Sequence, residues 1–231
     1  MSLPDADASN WKTVGVLGGM GPAATLDFLT RLHAATPASG DADHLRVITD
    51  SNPRVPGRNA ALSGDGPSPG PALAAMARGL VVAGAELLAM PCNAAHAWAA
   101  EIAGAGVPFI SMIDAAAAAV RASGARRVGV LAADATLRSR LYHDALGELT
   151  VIEVASADFM PVLLRIKAGD TGVEVRAVMA ALAAGLVARG ADTLLAACTE
   201  VPLVLEPTDV AVPFVDATGA LVTAVLAAAT E

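Results

Sequence analysis

"GAELLAMPCNAAH", Gly84 to His96, runs from a small-residue turn through a short apolar stretch to a proline, a cysteine and an asparagine. "GADTLLAACTE", Gly190 to Glu200, repeats that plan and also reaches a cysteine. The chain has only two cysteines, and each closes one of these runs. The echo extends further. "KTVGVLGG" from Lys12 resembles "RRVGVLAA" from Arg126, and "VPFISMID" from Val107 resembles "VPFVDAT" from Val212. The offsets are 114 from Gly15 to Gly129, 106 from Cys92 to Cys198 and 105 from Val107 to Val212. Three matches in one order at nearly constant spacing describe two similar halves.

Each half alternates strand-like and helix-like segments. "TVGVL", "LRVITD", "AELLAM" and "PFIS" are short, apolar and β-prone, as are "RVGVLA", "TVIEVA", "TLLAAC" and "PFVDA" later on. Helical patterns are expected over roughly 22–35, 71–83, 94–102 and 115–122, then 136–146, 160–168, 173–189 and 219–229. Strands apolar on both faces and separated by helices predict parallel sheets covered by helices. The expected fold is therefore α/β, with two pseudo-symmetric lobes and a site in the cleft between them. In open α/β sheets ligands bind beyond the carboxyl ends of the strands, where both cysteines fall. The stretch from Ser51 to Pro71 is rich in proline and glycine. It is expected to be an irregular binding loop or lid.

Composition narrows the function. Of 231 residues, 55% are hydrophobic and 3% aromatic, so Ala, Val and Leu must build the core. No apolar run approaches the ~20 residues of a membrane span. A net charge of −8 argues against a nucleic-acid partner. The opening "MSLPDADASNWK" lacks a basic region followed by an apolar stretch, so no export signal is expected. Two cysteines without such a signal point to a reducing cytoplasm.

Several residues carry candidate chemistry. Asn93 can cap a helix from Ala94, and Thr199 one near Pro202, which sets each thiol beside a helix N-terminus where a thiolate is favoured. Each cysteine alone can equally be a small buried hydrophobe. Paired at equivalent strand ends, the two thiols suit proton transfer on opposite faces of one carbon. A redox dithiol usually has Cys-x-x-Cys spacing, and these cysteines are 106 apart. The glycine-rich turn of "GVLGGMGPAAT" reads either as an anion site or as a tight βα turn. Arg58 and Lys167 are candidate carboxylate partners. Glu200 can tune the Cys198 thiol, bind a substrate ammonium or serve as a helix first-turn acid. His33, His44, His96 and His143 lack metal-ligand spacing, and His96 reads as a core or supporting group near Cys92.

These motifs together resemble the aspartate/glutamate racemase family, cofactor-independent two-cysteine enzymes, and its aspartate racemase branch in particular. The matching stretches are "VGVLGGMGPAAT", "SNPRVPGR", "GAELLAMPCNAAHAW", "VPFISMID", "RIKAGD" and "GADTLLAACTEVPLVL", which cover almost the whole chain. The resemblance implies an amino-acid substrate, no cofactor or metal, and a homodimer. It implies that Cys92 and Cys198 are the acid–base pair. It places Met20, Asn52, Arg58, Asn93, Ala94, Lys167, Thr199 and Glu200 around the substrate. It also implies lobes of 1–112 with 217–231, and of 113–216. Two positions depart from the family pattern. Ala94 stands where a hydroxyl residue is usual, and Pro56-Gly57-Arg58-Asn59 replaces Pro-Asp-Arg-Thr. On the same scaffold, a decarboxylase or cis–trans isomerase of a small dicarboxylic acid, or a non-catalytic binding protein, is the alternative.

Overall fold

The computed structural model describes residues 11–230. Most of the stretch read for an export signal lies outside these residues. The first sheet uses β1 (Val14–Gly18), β2 (Val47–Ser51), β3 (Leu87–Ala89) and β4 (Phe109–Ile110). Its helices are α1 (Pro22–Ala35), α2 (Arg58–Ser63), α3 (Gly70–Val82) and α4 (Ala99–Ala103). After α5 (Met112–Ala122), the second sheet uses β5 (Arg127–Leu131), β6 (Thr150–Glu153), β7 (Thr193–Ala196) and β8 (Phe214–Asp216). Its helices are α6 (Asp134–Arg138), α7 (Leu141–Leu146), α8 (Ser156–Lys167) and α9 (Val173–Ala188), and α10 (Ala217–Ala229) closes the described chain. The strand orders are β2-β1-β3-β4 and β6-β5-β7-β8, with every pairing parallel.

The expected α/β architecture is thus present, and the internal repeat is physical. A Cβ on Gly15 would lie 2.7 Å from both Ala85 Cβ and Leu88 Cδ2, and 3.2 Å from Leu80 Cβ. A Cβ on Gly129 would meet Leu194 at 2.7 Å, with Ala191 and Leu186 at 3.0 Å. The three partners of each glycine are equivalent residues of the two halves. In both, the glycine lets α3 or α9 lie close against its sheet.

The crossing helices exchange places. α5 follows the first sheet yet packs on β7 and β8 of the second, whereas α10 follows the second and packs on α1, β3 and β4 of the first. α5 and α10 also pack on each other. Their apolar residues join Val14 and Val16 of β1 and Val128 and Val130 of β5 in one core. The other face of each sheet has its own core, one containing Cys92 and the other Cys198. Arg31 on α1 pairs with Asp216, whose other carboxylate oxygen accepts a hydrogen bond from Thr218 N–H at 2.8 Å and caps α10. On this packing we propose to divide the chain into lobes of 1–112 with 217–231, and of 113–216.

Three local expectations need correction. The Ser51–Pro71 stretch is not wholly irregular, because it contains α2. The intervening "RNAALS" has no proline, and Gly64 ends the helix in the left-handed conformation at φ 83°. The single helix expected over 136–146 is two, broken where Arg140 takes φ 56°. α8 begins at Ser156, earlier than expected, and carries Pro161 inside the helix, where the ring has no amide to donate to Ala157 O.

Replacing either Gly15 or Gly129 by alanine should destabilise the fold by about 1–3 kcal/mol through overpacking. Gly79→Ala in α3, where a Cβ meets nothing within 4 Å, should instead stabilise it slightly. Urea denaturation of the three variants checks both signs.

Candidate active site

Residues just past the carboxyl ends of β1, β3, β5 and β7 line one cavity of about 190 Å³. That is smaller than the ~300–1,000 Å³ of drug-sized sites and suits a small metabolite. Cys92 and Cys198 both line it, each nearly buried and each a free thiol. Tight turns just past β3 and β7 carry them there, one residue out of register with each other. Cys92 N–H donates to Met90 O at 2.8 Å, and Ala197 N–H donates to Leu195 O at 3.0 Å.

The two surroundings differ. Behind Cys92, buried His96 accepts from Met112 N–H through Nε2 at 3.0 Å. The proton therefore sits on Nδ1, which donates to Cys92 O at 2.9 Å. Burial lowers the His96 pKa to about 4, so the ring is neutral near pH 7 and supports Cys92 through its backbone. Asn93 does not cap the turn that follows, which is a 3₁₀ turn over Ala94–Trp98. Its Oδ1 accepts instead from Tyr142 O–H of the other lobe at 2.5 Å. Burial, then the nearby Asp216 and Cys198, hold the Tyr142 phenol well above its ordinary pKa and keep it a donor.

Behind Cys198 sits a buried charge pair. The thiol donates to Glu200 Oε2 at 3.0 Å, and Lys167 pairs with Oε1 of the same carboxylate. Burial pushes the Cys198 pKa well above its usual value, Glu200 pushes it further, and Lys167 opposes them. This corrects the expectation of a thiolate favoured by a helix N-terminus. The segment after Cys198 is only a 3₁₀ turn over Val201–Leu203, and the neighbouring charge is an acid. Thr199 caps nothing there, and its hydroxyl donates to Glu200 Oε2 at 3.3 Å. Burial works against the Lys167 charge, but Glu200, with smaller help from the two cysteines, raises its pKa overall.

Of the other expected residues, Met20, Arg58, Asn93, Ala94, Lys167, Thr199 and Glu200 line the cavity. Asn52 does not. Its Oδ1 accepts from Arg54 N–H at 2.9 Å, and its backbone packs against Gly19, where φ is 88°. The amide of Gly19 is taken by Thr25 Oγ1 at 2.8 Å, so this turn serves close packing. The sequence reading missed Thr136, Asn59 and an apolar wall of Met160, Leu163 and Leu164. Thr136 was within reach, since at the repeat's offset of 114 it is the counterpart of Pro22 in the glycine-rich turn already singled out. Its buried Oγ1 and the Nδ2 of Asn93 both lack a protein partner, and both residues line the cavity. Buried polar atoms of this kind await a ligand or water.

Two parallel sheets flanked by helices, with a thiol from each lobe on a shared cavity, define the two-lobed α/β class of the solved Asp/Glu racemases. The Asp/Glu/Hydantoin racemase family model matches residues 17–225, and the chain belongs to that family. Aspartate racemase from Picrophilus torridus is 31% identical, with a TM-score of 0.87 over 94% of both chains. Glutamate racemase from Francisella tularensis shares the fold at 18% identity, with a TM-score of 0.69 over 95% of this chain and 81% of its own. Among curated proteins, glutamate racemase from a Synechococcus species is 37% identical over 123 residues, 50% of this chain and 44% of its own. Glutamate racemase from Pseudomonas paraeruginosa is 35% identical over 144 residues, 58% of this chain and 54% of its own. The chain spans about half the length of the curated relatives it matches.

Two outcomes follow from the site's electrostatics. In a Cys92→Ala background, Glu200→Gln should lower the pH midpoint for alkylation of Cys198 by about one unit or more, and Lys167→Met should raise it. Iodoacetamide rates across pH provide the readout. His96 holds its proton less tightly folded than unfolded, so its contribution to stability is intact above pH 6.5 and falls as pH drops toward 4. The full loss is about 3 kcal/mol. His96→Asn should flatten that part of the stability–pH curve measured by urea denaturation.

Proposed function

We propose that this chain is a cofactor-independent racemase of aspartate or glutamate that inverts the α-carbon by proton transfer between Cys92 and Cys198. The observation that carries the reading is one small cavity with a free thiol from each lobe and two cations in its lining. Arg58 and Lys167 are its cations and Glu200 its anion. A dicarboxylic amino acid offers a carboxylate to each of the two cations, whereas a neutral or basic amino acid leaves one of them without an anionic partner from the substrate.

In one direction, the Cys92 thiolate takes the α-proton and the Cys198 thiol gives its own proton to the opposite face. The electron pair freed at the α-carbon passes into the carboxylate and returns to form the new C–H bond. The cysteines then hold reversed protonation states and are ready for the other enantiomer. Cys198, held protonated by burial and Glu200, is the acid of this resting state. Lys167, Arg58, the free Asn93 amide and the Thr136 hydroxyl are the donors that stabilise the carboxylates and the developing charge. One proton passes from the substrate to Cys92, one passes from Cys198 to the substrate, and no electrons leave the substrate, so the reaction calls for neither pyridoxal phosphate nor a metal. Two thiols that must stay reduced suit the cytoplasm. The family resemblance extends the reading to a homodimer.

Incubation in D2O with each enantiomer of aspartate and glutamate, beside neutral and basic amino acids, tests the proposal. Deuterium should enter the α-position with inversion for the acidic pair, and Cys92→Ala and Cys198→Ala should each abolish inversion. Absence of exchange with every amino acid defeats the racemase reading and leaves a decarboxylase, an isomerase or a binding protein.

A further inference from the structure

α2 belongs by chain connection to the first lobe but reaches across the cleft. Ala135 N–H, in the first turn of α6, donates to Asn59 Oδ1 at 2.9 Å. α6 receives no side-chain cap from its own leading residue, Ala133. Asn59, 76 residues away in sequence, supplies that cap from the opposite lobe. The preceding residue, Arg58, lines the cavity, and its Nη1 donates to Val55 O at 3.2 Å and Pro56 O at 3.0 Å. Those carbonyls belong to the same loop. They fix the guanidinium relative to the loop, whose place against the cavity is set by the packing of α2 on α6 and on the 3₁₀ turn after Cys92. Val55 is buried in the first lobe's core and anchors the near end. Gly57 begins α2 and Gly64 ends it. Among the described residues, Asn59 makes the side-chain hydrogen bond that ties this short helix to the second lobe.

We infer that Asn59 is a positioning residue, whose bond to Ala135 latches α2 across the cleft and so holds Arg58 where it meets a substrate carboxylate. The inference rests on the dicarboxylate reading given above. It assigns Asn59 no contact with substrate. Its effect on binding passes through Arg58 alone.

The test is a double-variant cycle read in two ways. Succinate keeps both carboxylates and has no ammonium, so its affinity reports on Arg58 without requiring racemisation. Calorimetry with succinate should show about fivefold weaker binding for Asn59→Ala, the size of a lost cap. In an Arg58→Ala background the same change should weaken binding no further. With turnover as the readout, Asn59→Ala should raise KM by a similar factor and leave kcat less affected. Exchange of the Ala135 amide, followed by NMR, gives a view independent of any ligand. It should quicken in Asn59→Ala and stay protected in Asn59→Asp, which keeps the acceptor. Unchanged Ala135 exchange in Asn59→Ala overturns the latch. Additive losses in the double variant, or wild-type protein that does not bind succinate, overturn the positioning role. A wild type that binds succinate and shows the expected cycle, yet exchanges no α-proton, leaves this inference standing while the racemase reading falls.

Discussion

The structure depends on one apolar core shared by both sheets. Val14 and Val16 of the first sheet, Val128 and Val130 of the second, and the facing sides of α5 and α10 belong to a single cluster of buried side chains. Interiors of this kind are close-packed, and moving one sheet against the other exposes surface worth about 25 cal/mol for each Å². The exchange of α5 and α10 between sheets strengthens the constraint, since neither lobe keeps a full coat of helices without the other's crossing segment. Strand ends held in this way give the two thiols their spacing by packing rather than by any direct bond between them. Part of the cavity wall lies outside this shared core. Asn59 on α2 is exposed, as is Leu164 on α8, and both belong to the cavity wall.

Within that frame, the cost of desolvating charge shapes the site. Glu200 is 3% exposed, and an isolated carboxylate there would be expensive. Lys167 on one oxygen and the Cys198 thiol on the other satisfy it. Gly21 of the first lobe lies so close that a Cβ there would stand 3.3 Å from Glu200 Oε1. The charge pair is therefore roofed by the other half of the molecule, and the same burial that strengthens Lys167 and Glu200 toward each other keeps the Cys198 proton in place. For the proposed reaction, burial of this kind limits competing proton transfer with water.

Much of this was legible in the residues. The repeat announced two α/β halves, because two equivalent glycines and the small and branched residues around them must recur wherever a helix packs that tightly on a strand. The cysteines were legible as a pair for the same reason. Asn93 was read as a helix cap, yet its Oδ1 accepts from Tyr142 instead, since a cap is a local inference and Tyr142 arrives from the other lobe. Likewise the protonated state of Cys198 follows first from burial, which spacing does not reveal, and then from Glu200, against the opposing pull of Lys167. Asn59 shows the limit most clearly. Its role depends on which amide it faces across the cleft, and nothing in "GRNAAL" names Ala135.

The repeat is informative where it fails as well as where it holds. At the offset of 106, Ala94 is the counterpart of Glu200. One half therefore places a methyl two residues beyond its cysteine and the other a carboxylate. His96, four residues beyond Cys92, corresponds to Pro202, so the ring that braces one thiol's backbone has no equivalent at the other. A duplicated scaffold thus gives matched positions and unmatched environments. For chemistry that must take a proton on one side and give it on the other, that division is useful. Matched positions put both sulfurs on one cavity, and unmatched neighbours let one thiol rest protonated against a carboxylate while the other faces no acid at the equivalent place. In the proposed reaction, proton transfer in either direction ends in a state that the opposite enantiomer can use, and the asymmetry need bias only which of the two states the empty site prefers.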